Sequence, residues 1–365
     1  MFLFSTIVYL LTLEPTASLW DCGEYITAAY KLEVGHPPGA PFFMLIGRLF
    51  SFFAAPQNVA LLINTLSAIS SSLTILFMFW SLTILLKKMV LARKQDLSST
   101  DQGMIIISAT IASLAYTFSD SFWFSAVEGE VYAMASLFTA VIFWAGLKWD
   151  EEMSDGSTLK NDSLAANRWL ILILFLLGLA VGVHLLGILV VPAIAFILYF
   201  NQTPKPTLKG ILITGLLSVL ILGFIQEGVI PGSIALASWL EVKFVNSFGL
   251  PFFSGAITFF VLLVGGFYYA IRYAQQNQKT LLYNSLMGLA VLLIGYGSFA
   301  VIVIRSDANT PLDENDPENL VNLHSYLKRE QYGSAPLLKG PYWNSTPAEV
   351  GGDFSPTYVR RFVVE

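Results

Sequence analysis

Two carboxylates three residues apart, in Trp20-Asp21-Cys22-Gly23-Glu24-Tyr25, are the first residues here whose type and spacing suit catalysis. If a helix starts at this point, Asp21 and Glu24 share one face, where one can act as a general base and the other can orient it or bind a metal. The same spacing also suits a helix cap, with Ser18 or Asp21 at the N-terminus and Glu24 supporting it. His36 follows in Gly35-His36-Pro37-Pro38-Gly39-Ala40-Pro41, where prolines and glycines fix a turned backbone. That rigidity can hold the imidazole against a site or simply join two helices. A third group is Asp120, Glu128 and Glu130, bordering Phe122-Trp123-Phe124-Ser125-Ala126-Val127. Asp120 reads as a solvated helix end, Glu128 and Glu130 as the stronger candidates, and Phe122 and Trp123 as open to an aromatic-belt role. His184 stands alone in the apolar Gly182-Val183-His184-Leu185-Leu186, either as a satisfied core histidine or beside a cavity.

The elements that must position these groups are membrane helices. Hydrophobic residues make up 55% of the 365 and charged residues 12%, with a mean hydropathy of +0.65. A soluble chain carries about 25% charge, so this one cannot cover a water-facing surface. A net charge of -5 and the lack of a basic patch exclude nucleic acid as a partner. The single cysteine, Cys22, excludes an internal disulfide and a cysteine-based zinc site. The motifs of ATP-driven transport, serine hydrolases and zincins are missing from the sequence, and Asn344-Ser345-Thr346 is a weak sequon.

Apolar runs long enough to span a bilayer cover 58–86, 103–119, 131–149, 210–226, 252–271 and 281–304. Met1–Leu13 reads as the end of a span that begins before the chain. Residues 169–200, broken by glycines and Pro192, read as two short helices in a hairpin that returns to its starting side, with His184 at its middle. Phe42–Phe53, whose only charge is Arg48, is predicted to lie along the interface, where Arg48 either snorkels to headgroups or binds a lipid phosphate. Eleven lysines and arginines, Lys160 among them, fall on one set of loops and three on the other, which places loop one, 120–130, 227–251 and the tail from Arg305 outside the cytoplasm. Of the 25 acids, 18 lie on that outer side. The predicted fold is therefore all-α, a polytopic helical bundle over 1–304, followed by a polar tail over 305–365 that reads as the start of a soluble region cut short.

Glu14-Pro15-Thr16, Trp20 to Ile26 and Gly35 to Pro41, with Phe122 to Tyr132, Gly182 to Leu186 and Tyr326 to Gly333, resemble the bacterial domain-of-unknown-function family 2723. That family looks related to the membrane protein O-mannosyltransferases of the GT-C class. The resemblance implies a GT-C type bundle whose large first outer loop carries the interfacial helix. It also implies a multi-pass protein of the bacterial inner membrane with its site facing the periplasm. The activity it implies is inverting transfer of a mannose-like sugar from a polyprenyl phosphate to an outer hydroxyl, such as a protein Ser or Thr. Asp21 matches the loop-one acid that serves as general base, while Glu24 departs from the adjacent Asp-Glu pair of the mannosyltransferases. Arg48, Arg305 and His36 are the candidates for the donor phosphate, which needs positive charge. Glu128, Glu130 and His184 are supporting candidates. A divalent cation on Asp21, Glu24 or Glu128 and a metal-free site are equally compatible with these residues. A non-enzymatic carrier or scaffold for lipid-linked sugars is the alternative. Against it, the acids gather on outer loops, and the broken hairpin has no matching partner in a second half.

Overall fold

The computed structural model describes residues 1–154 and 168–333. Lys160, the sequon at Asn344 and most of the tail lie outside the described residues. Among the described residues the regular structure is helical, apart from one isolated bridge, and makes an all-α polytopic bundle. Its helices are α1 (Phe2–Leu11), α2 (Cys22–Lys31), α3 (Pro41–Ser51), α4 (Val59–Leu91), α5 (Ser99–Thr117), α6 (Asp120–Val127) and α7 (Val131–Ser154). After these come α8 (Arg168–Val181), α9 (Val191–Gln202), α10 (Leu208–Ser247), α11 (Ser254–Gln276), α12 (Thr280–Asp307) and α13 (Leu320–Leu327). Among the described residues six helices are long and apolar enough to cross a membrane, α9 when the 3₁₀ turn from Leu185 is counted with it, and α5 with α6, bent by 66°, makes a seventh if the pair counts as one span. At eleven residues, α3 rises only about 16 Å, half of a bilayer core.

The returning hairpin is present. Arg168 at the start of α8 bonds Glu152 at 2.6 Å, and Asn201 near the end of α9 bonds Asp150 at 2.6 Å, so both ends meet the C-terminal end of α7. At the turn between them, the His184 ring packs at a 60° tilt against Tyr132 at the opposite end of α7, ring centres 5.3 Å apart. The hairpin thus runs the length of α7 and back. Helix α8 also packs on α12. Their backbones approach so closely that a Cβ on Gly178 would run into the Leu292 carbonyl oxygen. Small residues at such crossings allow close packing where no hydrophobic force favours one apolar neighbour over another.

One expectation changes. Residues 227–247 are not an outer loop, because α10 continues through them to Ser247. A wide, π-type turn over Phe224–Val229 precedes Pro231. It relieves the clash that a proline ring makes with the carbonyl four residues back. The chain divides into two compact units, the first of them Met1–Lys328. Within it, Leu323, Tyr326 and Leu327 of α13 are buried in the same apolar cluster as Tyr25, Val34 and Phe43 of loop one. Of the second unit, Arg329–Glu365, the described part is a short turn in which the Arg329 guanidinium lies over the Tyr332 ring.

Candidate functional site

Helix α2 starts after Asp21, which takes the N-cap position, but its side chain makes no cap hydrogen bond. The Asp21 carboxylate is instead 57% exposed, with Oδ2 4.0 Å from His36 Nε2. Glu24, in the first turn, does not reach back to support a cap either. Its Oε1 accepts from the His36 backbone N–H at 2.6 Å and lies 2.9 Å from His36 Nδ1. A Cβ on Gly35 would collide with Glu24 Oε1, so the glycine leaves room for the carboxylate at this place. The capping interpretation of this pair is thereby replaced by a Glu24–His36–Asp21 array.

Burial works against ionised Glu24, but the ring and backbone N–H groups of His36 outweigh it and hold the carboxyl below its ordinary value. The Glu24 bond raises His36 above its ordinary value, over the opposite pull of burial. An ionised carboxylate only accepts, so Nδ1 carries a proton and Nε2 is the nitrogen that titrates. Nε2 faces Asp21 and also the Tyr25 hydroxyl, 3.5 Å away. Burial, then the charges of Glu130, Asp21 and Glu24, push the Tyr25 phenol up, so it stays protonated and able to donate.

Glu128 and Glu130 form the next layer, at the junction of α6 and α7, and both are buried. Glu128 makes a short hydrogen bond with the Ser18 hydroxyl, and its carboxyl is nonetheless raised, by burial first. Burial, then the charges of Glu128 and Asp21, raise Glu130 to about 7. Loop one is tied to this junction by the Glu14 N–H donating to the Val127 carbonyl and by Asn64 of α4, whose amide donates to the Glu14 and Thr16 carbonyls. His184, with Nδ1 accepting from the Leu186 N–H, joins the rim through Tyr132.

Other expected residues lie elsewhere. Arg48 donates to the Tyr30 carbonyl and stacks on Tyr30 and Phe52, while Arg305 donates to the Leu32 carbonyl at 2.6 Å and to that of Lys31. Both arginines thus hold the C-terminal end of α2, where the helix dipole favours cations. That end is about 9 Å along the helix from Glu24. Asp120 is exposed in the first turn of α6. Phe122 is buried, and the Trp123 indole donates to the Thr12 hydroxyl, so these two pack within the protein.

Tyr25, Ser18, Asn64, Tyr132 and Tyr326 had no expected site role, Ser18 figuring only as a cap and the three tyrosines only within the family motifs. Tyr25 had a signal, one turn from Asp21 on the same face. Asn64 had another, as an amide inside an apolar span. One ligand atom each from Asp21, Glu24 and His36 lie within 4.8 Å of one another. Carboxylate and imidazole donors of this kind suit a divalent ion, although Glu24 already engages His36 Nδ1.

Fold and site together define a polytopic membrane protein with an acid–imidazole cluster where a short loop helix meets the ends of the bundle helices. The profile of the Protein O-mannosyl-transferase TMEM260 N-terminal domain matches residues 21–207, just over half of the chain, and the chain belongs to that family. It is 29% identical over 150 residues to the Protein O-mannosyl-transferase tmem260 of Dictyostelium discoideum, covering 40% of this chain and 16% of the relative. Over 148 residues it is 29% identical to the Protein O-mannosyl-transferase TMEM260 of Mus musculus, covering 40% and 18%. The match spans less than a fifth of either relative's length. No solved structure matches.

Proposed function

We propose that this chain carries the membrane part of a glycosyltransferase that moves a mannose-like sugar from a polyprenyl phosphate to an acceptor hydroxyl, on a protein Ser or Thr, with inversion. The single observation that carries the reading is the state of Asp21. Its carboxylate sits at the start of α2 without capping it and is open to solvent beside His36. A base that must take a proton from an incoming hydroxyl needs this accessibility and freedom. Asp21 removes the acceptor proton as the hydroxyl oxygen attacks the sugar carbon, and the lipid phosphate leaves with the bonding electrons of the broken C–O bond. Glu24 holds His36, and the imidazolium stabilises the developing phosphate charge.

Arg48 and Arg305 are the second pair of phosphate candidates, through guanidinium nitrogens that α2 does not use. Glu128, Glu130 and His184 shape the acceptor side. Residues 1–328 form the transferase unit in this reading. The excess of basic residues at the other end of the spans supports a site facing away from the cytoplasm. The resemblance to family 2723 supports a bacterial inner membrane with a periplasmic site.

The test is transfer from radiolabelled polyprenyl-phosphate mannose in membranes holding wild type or Asp21→Asn at matched expression. The expected loss is about 10²–10⁴-fold, the usual worth of a positioned base. Transfer that survives in Asp21→Asn removes Asp21 as the base. No transfer by wild type from any polyprenyl-phosphate sugar favours the carrier alternative.

A further inference from the structure

The Gly35–His36 peptide unit is held at both ends. Its N–H donates to Glu24 Oε1 and its carbonyl accepts from the Tyr326 hydroxyl, each at 2.6 Å. Tyr326 is 0% exposed and lies 291 residues beyond Gly35, on α13. The same downstream segment grips the backbone before the turn. The Val34 N–H donates to the Leu312 carbonyl at 3.0 Å, and the Glu314 N–H donates back to the Val34 carbonyl at 3.1 Å. Just past the prolines, the Gly39 backbone lies so close under Tyr326 that a Cβ there would be 2.7 Å from the hydroxyl oxygen.

A peptide plane moves only by rotation about the bonds on either side of it. Fixing its carbonyl and its N–H therefore fixes ψ of Gly35 and φ of His36, and so the direction of the His36 Cβ. Glycine has the widest choice of conformations, so the constraint matters most at this position. Glu24 alone holds one end of the plane, and without a hold on the carbonyl the plane can tilt about that single bond.

We propose that Tyr326 is a positioning residue for the loop-one site: by binding the Gly35 carbonyl it keeps the His36 ring on Glu24, with Nε2 turned to Asp21 and Tyr25. The site is then assembled from two ends of the chain, with α2 and the proline turn supplying the reacting groups and α13 their alignment.

Tyr326→Phe in the full chain removes the hydroxyl and keeps the ring that fills the core. His36 is followed by two prolines, which have no amide hydrogen, so across residues 36–38 hydrogen exchange followed by mass spectrometry reports the His36 amide alone. That amide exchanges about tenfold faster in the variant, as expected when the plane loses one of its two bonds. In the transfer assay with radiolabelled polyprenyl-phosphate mannose, kcat falls about tenfold, the scale of a small misalignment, while KM for the donor stays within about twofold. Leu323→Val loosens α13 without touching the hydrogen bond and leaves both readouts near wild type.

Unchanged His36 exchange in Tyr326→Phe overturns the proposal whatever the activity. An equal kcat loss in Leu323→Val at matched stability overturns it too, since the effect would then belong to the fold. The kinetic arm rests on the transferase reading. If wild type transfers no sugar, that reading fails and the exchange arm alone decides the role of Tyr326.

Discussion

Glu130 is held at a cost, and that cost is measurable. The carboxyl is 5% exposed, and its pKa stands at about 7 against an ordinary 4.5, through burial and then the charges of Glu128 and Asp21. A shift of that size corresponds to about 3 kcal/mol at 1.36 kcal/mol per unit. The unfolded chain gives up this proton near its ordinary value and the folded chain only near neutrality. Between the two the folded state binds more protons, so the group's contribution to stability falls as pH rises through that window and is level above it. The perturbation is Glu130→Gln, which keeps the shape and removes the charge. At pH 5 the native side chain is neutral in the folded protein but already mostly ionised in the unfolded chain, so a minor part of the difference is present there. Between pH 5 and pH 8 the variant should gain about 2–3 kcal/mol on wild type. The assay is SDS titration in mixed micelles read by the fluorescence of the eight tryptophans, with both proteins compared at each pH. A difference that does not change between pH 5 and pH 8, or a variant that loses ground at pH 8, refutes the reasoning. A protein that keeps a destabilising carboxylate where glutamine would serve the fold better has a use for the charge or the proton, and lost sugar transfer in the more stable variant would identify that use.

Two further predictions concern the packing around this site. Glu24→Gln removes the charge from a partly buried bond to His36, and bonds to charged groups contribute about 1.5–3 kcal/mol. Reaction of the fully buried Cys22 with a thiol-specific dye should therefore accelerate about 10- to 100-fold near pH 6. The ratio to wild type should shrink as pH rises through the raised pKa of His36, or falls through the lowered pKa of Glu24, because the pair is fully charged only between them. A ratio that grows with rising pH would sink this assignment. Gly178→Ala, which in an ordinary helix interior gains about 0.5–1 kcal/mol, should instead lose about 1–3 kcal/mol, because the added methyl forces α8 and α12 apart at the Leu292 carbonyl. Thermal unfolding in detergent gives the sign, and a stabilised variant excludes the close crossing.

The long apolar spans were legible because a bilayer imposes a length and a composition that no other environment demands together. The returning hairpin at 169–200 was legible for a related reason, since a glycine-punctuated run of that length fits one turned pair of helices. The long helix through Pro231 was not. Proline and glycine at 231–232 carry the signature of a span end, and only the backbone shows the wide turn that lets the helix continue.

The site divides in the same way. Which side chains could do chemistry was readable locally, since Asp21, Glu24, His36 and Glu130 are ionisable groups at the edges of apolar segments, where each needs a reason to be. The tertiary structure decided what each of them touches. It turned Glu24 from a cap onto His36, set the two arginines on the end of α2, and brought Tyr326 from the far end of the chain to the Gly35 carbonyl. The physical reason is range. Hydropathy and spacing act over one or two helical turns and leave their mark in the local sequence. A hydrogen bond across 291 residues depends on how whole helices pack, and neither partner carries a local trace of it.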